Sequence, residues 1–263
     1  MRIRLFVQSV ALAAILMVGF SGAAQADALA ELDVKQGAVW VSHPVPADGG
    51  IKVMVALGSQ SYTYDLLKSR EAFPLQFGDG SYKISLYQRV QGTQYRLLKQ
   101  TTLAVDLPDD FVPFLGSSQV LNWKPEMVPI SSAKTMTAAA KTDEEKIKLL
   151  YGYITAKIKY DYEKISRLKS TYVPDIEDTY YTNLGICYDY SALFGSMLRS
   201  VGVPAKLIKG YKNDVPEYHA WNQVYVNNKW VYIDTTYDAA FKAAGAKTAM
   251  FKGDSEFRPA KFY

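Results

Sequence analysis

The chain has 263 residues, a formal net charge of +4, two histidines and a single cysteine. So few imidazole and thiol groups leave little for a zinc site, and the near-neutral charge without a basic cluster argues against nucleic acid as a partner. The length suits one or two domains with a sizeable core.

Residues 1–26 read as a cleaved secretory signal. Arg2 and Arg4 precede an apolar run from Leu5 to Phe20, and Ala24-Gln25-Ala26 offers a small-x-small cleavage site before Asp27. An uncleaved anchor is the rival reading, because the run nearly reaches the ~18 residues of a membrane span. Cleavage between Ala26 and Asp27 is expected instead, giving a secreted or extracytoplasmic protein with no membrane segment after processing. Arg2 and Arg4 leave with the signal and no acid does, so the mature chain is nearer neutral still.

Residues 27–108 form a β-rich unit. Segments 38–42, 51–57, 61–65, 80–87, 95–98 and 100–105 suit strands, punctuated by Asp48-Gly49-Gly50, Gly78-Asp79-Gly80 and Gln91-Gly92-Thr93. Short strands at such intervals predict a small sandwich. Tyr62, Tyr64, Tyr82 and Tyr87 could stack on sugars, but half-buried strand tyrosines are the commoner case. His43, before Pro44, is expected in an exposed loop.

Residues 109–141, with Pro113, Pro125 and Pro129, are expected to be a linker draped over the surface. A third unit, 142–263, opens with Thr142-Asp143-Glu144-Glu145, which has the form of a capping box. Ile147, Leu150, Tyr151, Ile154 and Ile158 then line one helical face.

Cys187 opens another helical pattern, with apolar residues at Tyr190, Leu193, Phe194, Met197, Leu198 and Val201, ended by Gly202 and Pro204. A thiol in a helix's first turn lies beside unpaired N–H groups that favour its thiolate. Alone, Cys187 would read as a small buried hydrophobe. A base for it is available in His219, at the start of a run that leads through Asn227-Asn228 to Trp230 and Asp234. A two-residue loop at the asparagines predicts a hairpin pairing Val226 with Lys229. That register sets Trp221 opposite Asp234 and His219 opposite Thr236, with His219 and Asp234 diagonal neighbours about 7–8 Å apart.

Gly185-Ile186-Cys187, His219-Ala220-Trp221 and Trp230-Val231-Tyr232-Ile233-Asp234-Thr235-Thr236, in that order, resemble the motifs of the transglutaminase-like superfamily, in its secreted bacterial form. The resemblance spans roughly residues 140–250. It implies an α+β fold of the papain/transglutaminase type, a catalytic helix packed on an antiparallel sheet, here preceded by the small β-sandwich-like domain. It further implies a Cys187-His219-Asp234 triad, acyl transfer through a thioester, and no cofactor. The substrate would be a protein glutamine or a peptide bond, with cell-wall-associated protein among the partners. Cross-linking, deamidation and hydrolysis all remain open, as does a non-catalytic scaffold that binds cell-wall or protein partners. In papain-type relatives an oxyanion donor lies six residues before the cysteine. That position is Tyr181, with Tyr180 and Asn183 as competitors, and Asn183 could instead cap a helix. Trp221 is expected to shield the His–Asp pair from water.

Overall fold

The computed structural model describes residues 29–263. The expected signal peptide, residues 1–26, lies outside the described residues. Seven strands come first: β1 (Ala30–Asp33), β2 (Ala38–Ser42), β3 (Ile51–Leu57), β4 (Gln60–Asp65), β5 (Arg70–Pro74), β6 (Gly80–Gln91) and β7 (Gln94–Val105). They form two antiparallel sheets, β1-β2-β5 and β4-β3-β6-β7. Strand alternation builds the core between them: Ile51, Val53 and Val55 are buried while Lys52, Met54 and Ala56 are only partly so.

Segments 95–98 and 100–105, read as two strands, are one strand whose register shifts beside Leu86 and Tyr87. Neither β1 nor β5 was anticipated. The first is four residues long with two acids, and the second lacks any β-branched residue and ends in proline. Tyr64 and Tyr82 are buried, so neither presents a stacking face. Tyr82 instead closes a turn, donating its hydroxyl to the Gly78 carbonyl and accepting from the Phe77 N–H. His43 is partly buried rather than exposed, its backbone N–H tied to the Ser69 carbonyl.

The stretch read as a surface linker holds a helix, α1 (Val128–Thr137), whose Ile130 and Ala133 are fully buried. Pro129, one of the prolines of the expected linker, lies in the first turn, where its missing N–H would have had no partner anyway. Next is α2 (Asp143–Lys157), and its capping box is present. Thr142 accepts from the Glu145 N–H at 3.2 Å while Glu145 accepts from the Thr142 N–H at 3.2 Å. Ile147, Leu150, Tyr151, Ile154 and Ile158 all face inward.

The remaining elements are β8 (Lys159–Tyr160), α3 (Tyr162–Ile165), α4 (Ile176–Thr182), β9 (Leu184–Gly185), α5 (Cys187–Ser200), β10 (Ala205–Lys212), β11 (Val215–Val226), β12 (Lys229–Ile233), α6 (Thr235–Ala243) and β13 (Phe257–Phe262). The sheet order is β12-β11-β10-β13, antiparallel throughout. Helix α5 is buried on almost every side, as a helix sandwiched between a sheet and other helices must be. The fold is therefore α+β, with a β-rich N-terminal region followed by a helix packed on an antiparallel sheet, as the resemblance implies.

A single apolar core runs through both regions, from Val53 and Tyr82 to Phe194 and Leu207. Polar ties reinforce the join. Gln76 Nε2 donates to the Phe262 carbonyl at 2.8 Å, and Lys261 Nζ to the Thr63 carbonyl at 3.0 Å. Among the described residues no helix is long and apolar enough to cross a membrane.

Candidate active site

Cys187 is the first residue of α5 and its thiol is unpaired and partly buried. Ile186 precedes it at the N-cap and has no side-chain oxygen to give, so the first N–H groups of the helix are not consumed by a capping side chain. Gly185 is required by packing. A Cβ there would lie 2.7 Å from the Asp189 Cβ and 3.3 Å from the Thr179 Cγ2.

Asp189, two residues past the cysteine, is fully buried and accepts from the Ile186 N–H at 2.9 Å and from Lys164 Nζ at 2.8 Å. It also accepts from the Tyr172 hydroxyl. This one carboxylate fastens both the helix start and the 164–172 segment in front of it. Its signal in the sequence is an acid three residues past the N-cap, a mark of a helix start in its own right.

His219 lies on β11 and Asp234 directly after β12. The hairpin register is as expected: Val226 pairs with Lys229, and Asn227 and Asn228 have φ values of 52° and 60°, the type I′ form. Beyond Asn222–Ile233 the predicted ladder ends. Thr236 does not pair with His219; it belongs to α6, and His219 pairs across its other edge with Gly210. The chain turns because Asp234 becomes the N-cap of α6, its Oδ1 accepting from the Tyr237 N–H at 3.1 Å. The other oxygen, Oδ2, is 2.8 Å from His219 Nε2. Contact between the two residues is thus made, through a helix cap rather than across a strand pair.

The imidazole and carboxylate are both buried, with side chains 8% and 0% exposed. Burial pulls the imidazole's pKa down, but hydrogen bonding to Asp234 and to the Cys187 side chain, and the charges of both, outweigh it and raise it to about 10. The imidazole thus meets Asp234 through Nε2 and has Cys187 as its other neighbour among the groups that raise its pKa.

Trp221, two residues along the same strand face, is fully buried with its ring centroid 6.0 Å from the imidazole's. It packs with Ile208 and Phe257, closing off that flank of the His–Asp pair. On the opposite face Asn222 Nδ2 donates to the Ser191 carbonyl of α5 at 3.0 Å and to the Lys206 carbonyl of β10 at 3.3 Å. The helix of Cys187 and the strand of His219 are thereby held together.

The competing oxyanion candidates are dispersed. Tyr181 is 61% exposed, its ring edge-on to Tyr180. Tyr180 is committed to Ser132 at 2.6 Å. Asn183 caps the end of α4 with φ at 55°, not the start of α5. Tyr160 is closer to the thiol by topology, since β8 pairs with β9 and sets Tyr160 beside Gly185. Burial, then the neighbouring Cys187, pushes its hydroxyl pKa up to about 12.

Two cavities border this region. One of about 840 Å³ lies between the β-rich region and residues 167–177, and none of Cys187, His219 or Asp234 lines it. A smaller one of about 110 Å³ reaches Tyr188 and Lys209, next to the thiol. Cys187, His219 and Asp234 do not line it either, but Tyr188 follows Cys187 in α5 and Lys209 is near enough to feel the charge of Cys187.

Residues 130–235 match the model of the transglutaminase-like superfamily core. Kyphoscoliosis peptidase from Mus musculus and from Homo sapiens is each 31% identical to the chain over 110 residues. Those matches cover 37% of this chain and 16% of either relative, so this chain corresponds to a small part of their length. Among solved structures, a candidate cysteine protease from Cytophaga hutchinsonii is 21% identical, with 60% of this chain and 55% of that one covered and a TM-score of 0.42. Legionella pneumophila LapG is 15% identical, with 51% and 68% covered and a TM-score of 0.38. Residues 130–235 therefore form a region similar to the transglutaminase-like superfamily core.

Proposed function

We propose that the protein is an exported cysteine-dependent enzyme that cleaves or transfers acyl groups at amide bonds, with Cys187 as nucleophile, His219 as base and Asp234 as the group that orients the base. The observation that carries this reading is the imidazole of His219 bonded to the Asp234 carboxylate at 2.8 Å with Cys187 near enough to raise its pKa.

The steps follow from that arrangement. Cys187 Sγ bonds to the carbonyl carbon of a glutamine side chain or a peptide bond, and its proton passes to His219. The carbonyl oxygen takes up negative charge, and the uncapped backbone N–H groups at the start of α5 are placed to receive it. When the tetrahedral adduct collapses, the C–N bond breaks and the imidazolium gives its proton to the departing amine, leaving a thioester. Water then yields the acid, or a second amine yields a new amide. Asp234 keeps the imidazole in place and stabilises its charged form. Its high proton affinity suits His219 to hold the proton between the two halves of the reaction.

Mass spectrometry of the mature protein mixed with a glutamine peptide and a primary amine tests this. A transient adduct on Cys187, absent in Cys187→Ala, with either amine incorporation or ammonia release, is the expected result. Binding of the peptide with no adduct and no turnover would favour a scaffold.

A further inference from the structure

Lys209 and Lys261 stand directly opposite each other on β10 and β13. Like charges in that position are unfavourable in a sheet, and no carboxylate among the described residues forms an ion pair with either ammonium. Lys209 Nζ sits 3.3 Å from the ring centroid of Tyr188, the residue after Cys187. Lys261 Nζ lies over Tyr64 and Tyr263 at 4.6 and 4.8 Å and donates to the Thr63 carbonyl. Asp65, the one acid lining the same cavity, is engaged by Lys52 at 2.6 Å.

Burial pushes both ammonium groups down to about 8, and the charge of Lys261 adds to the effect at Lys209. Two half-buried, mutually repelling cations are costly to the fold. An anion arriving between them would relieve both costs. The cavity they line, about 110 Å³, has room for a carboxylate and little more.

We propose that the Lys209–Lys261 pocket is a subsite that receives a carboxylate of the substrate, reached from Cys187 through its neighbour Tyr188. Rigid aromatic walls from Tyr188 and Tyr263 would leave charge and size as its selection rule. The carboxylate could belong to an acidic side chain next to the reacting amide or to a peptide's C-terminus, and the chemistry of the pocket is common to both. The position of this subsite relative to the reacting atom rests on Cys187 being the nucleophile.

The test uses two alkylating reagents of nearly the same shape on the full mature protein. Iodoacetate carries a carboxylate and iodoacetamide does not. The readout is the ratio of their rate constants at Cys187 in the wild type, Lys209→Gln, Lys261→Gln and Lys209→Arg. The subsite predicts a ratio that falls about tenfold in either glutamine variant and recovers with arginine, as loss of one unscreened charge near the site requires. A ratio that is unchanged in both glutamine variants overturns it, whatever the absolute rates. Acetyl-glutamate amide and acetyl-glutamine, added as protectants, separate a side-chain from a terminal carboxylate; protection by neither counts against the subsite. His219→Ala, run alongside with iodoacetamide alone, reports on the catalytic reading. A histidine-dependent rate with no preference for the anion would reject the subsite and leave that reading standing.

Discussion

Replacing Asp234 by asparagine removes a charge and leaves the heavy-atom shape of the side chain almost unchanged. Asparagine caps a helix about as well as aspartate, so the N-terminus of α6 is preserved and the change isolates the His219 interaction. In the native protein the His219 pKa is raised from 6.5 to about 10 against the opposing effect of burial. At about 1.36 kcal/mol per unit, the favourable interactions of the imidazolium exceed its burial cost by on the order of 5 kcal/mol. Asp234, the partner at 2.8 Å and itself fully buried, supplies the first of them. Removing one partner of a buried pair typically costs about 3–5 kcal/mol, and the lower end is expected here because Cys187 remains beside the ring. The pH dependence has a definite sign. A pKa raised on folding contributes stability that is complete below the unfolded value of 6.5 and is lost as pH climbs through about 10. Urea denaturation of the wild type and Asp234→Asn at about pH 6.5, 8 and 10 measures this directly. The stability gap should be widest at the lowest of these and close toward the highest. A gap of constant size across the range would refute the assignment of the raised imidazole pKa to Asp234.

Three further outcomes are expected. Gly185→Ala puts a Cβ 2.7 Å from that of Asp189, which should lower the melting temperature by about 3–10 °C, the usual price of overpacking; an unchanged melting curve would mean the close approach is not real. Asp189→Asn strands Lys164, whose next carboxylate is Asp178 at 4.0 Å, so about 3 kcal/mol of stability should go. Limited proteolysis between Ser166 and Val173 should accelerate with it, and a cleavage rate equal to wild type would show that another contact holds the segment. Asn228→Ala removes the short amide side chain that makes the left-handed φ of 60° tolerable in the hairpin turn and should cost about 1 kcal/mol, while Asn228→Gly is tolerated; equal midpoints in denaturant would argue against the type I′ turn.

The parts of this architecture that could be read from the chain are those where local chemistry and tertiary structure agree. Asn227-Asn228 dictates its own turn, and with it the register that carries His219 and Trp221. The Thr142–Glu145 box starts α2 at the expected residue, because both partners lie within one helical turn. Asp234 illustrates where such reading stops. Periodicity continues the strand through Thr236, but the same carboxylate that meets His219 also caps a helix, and one residue serving two elements leaves no separate signal. Pro129 was misleading for a related reason, since a proline marks helix starts as well as breaks. Lys209 and Lys261 are 52 positions apart in the chain and meet only through the β10–β13 pairing. No local pattern announces a site of that kind.

The central claim is that Cys187 and His219 act as one chemical unit. The most direct measurement is the rate of Cys187 alkylation by iodoacetamide in the native protein at neutral pH, compared between the wild type and His219→Ala. With circular dichroism showing both folded, the account predicts fast labelling in the wild type and a rate at least about tenfold lower when the base is removed. Equal rates in the two proteins, or a wild-type thiol that labels only after unfolding, would contradict it.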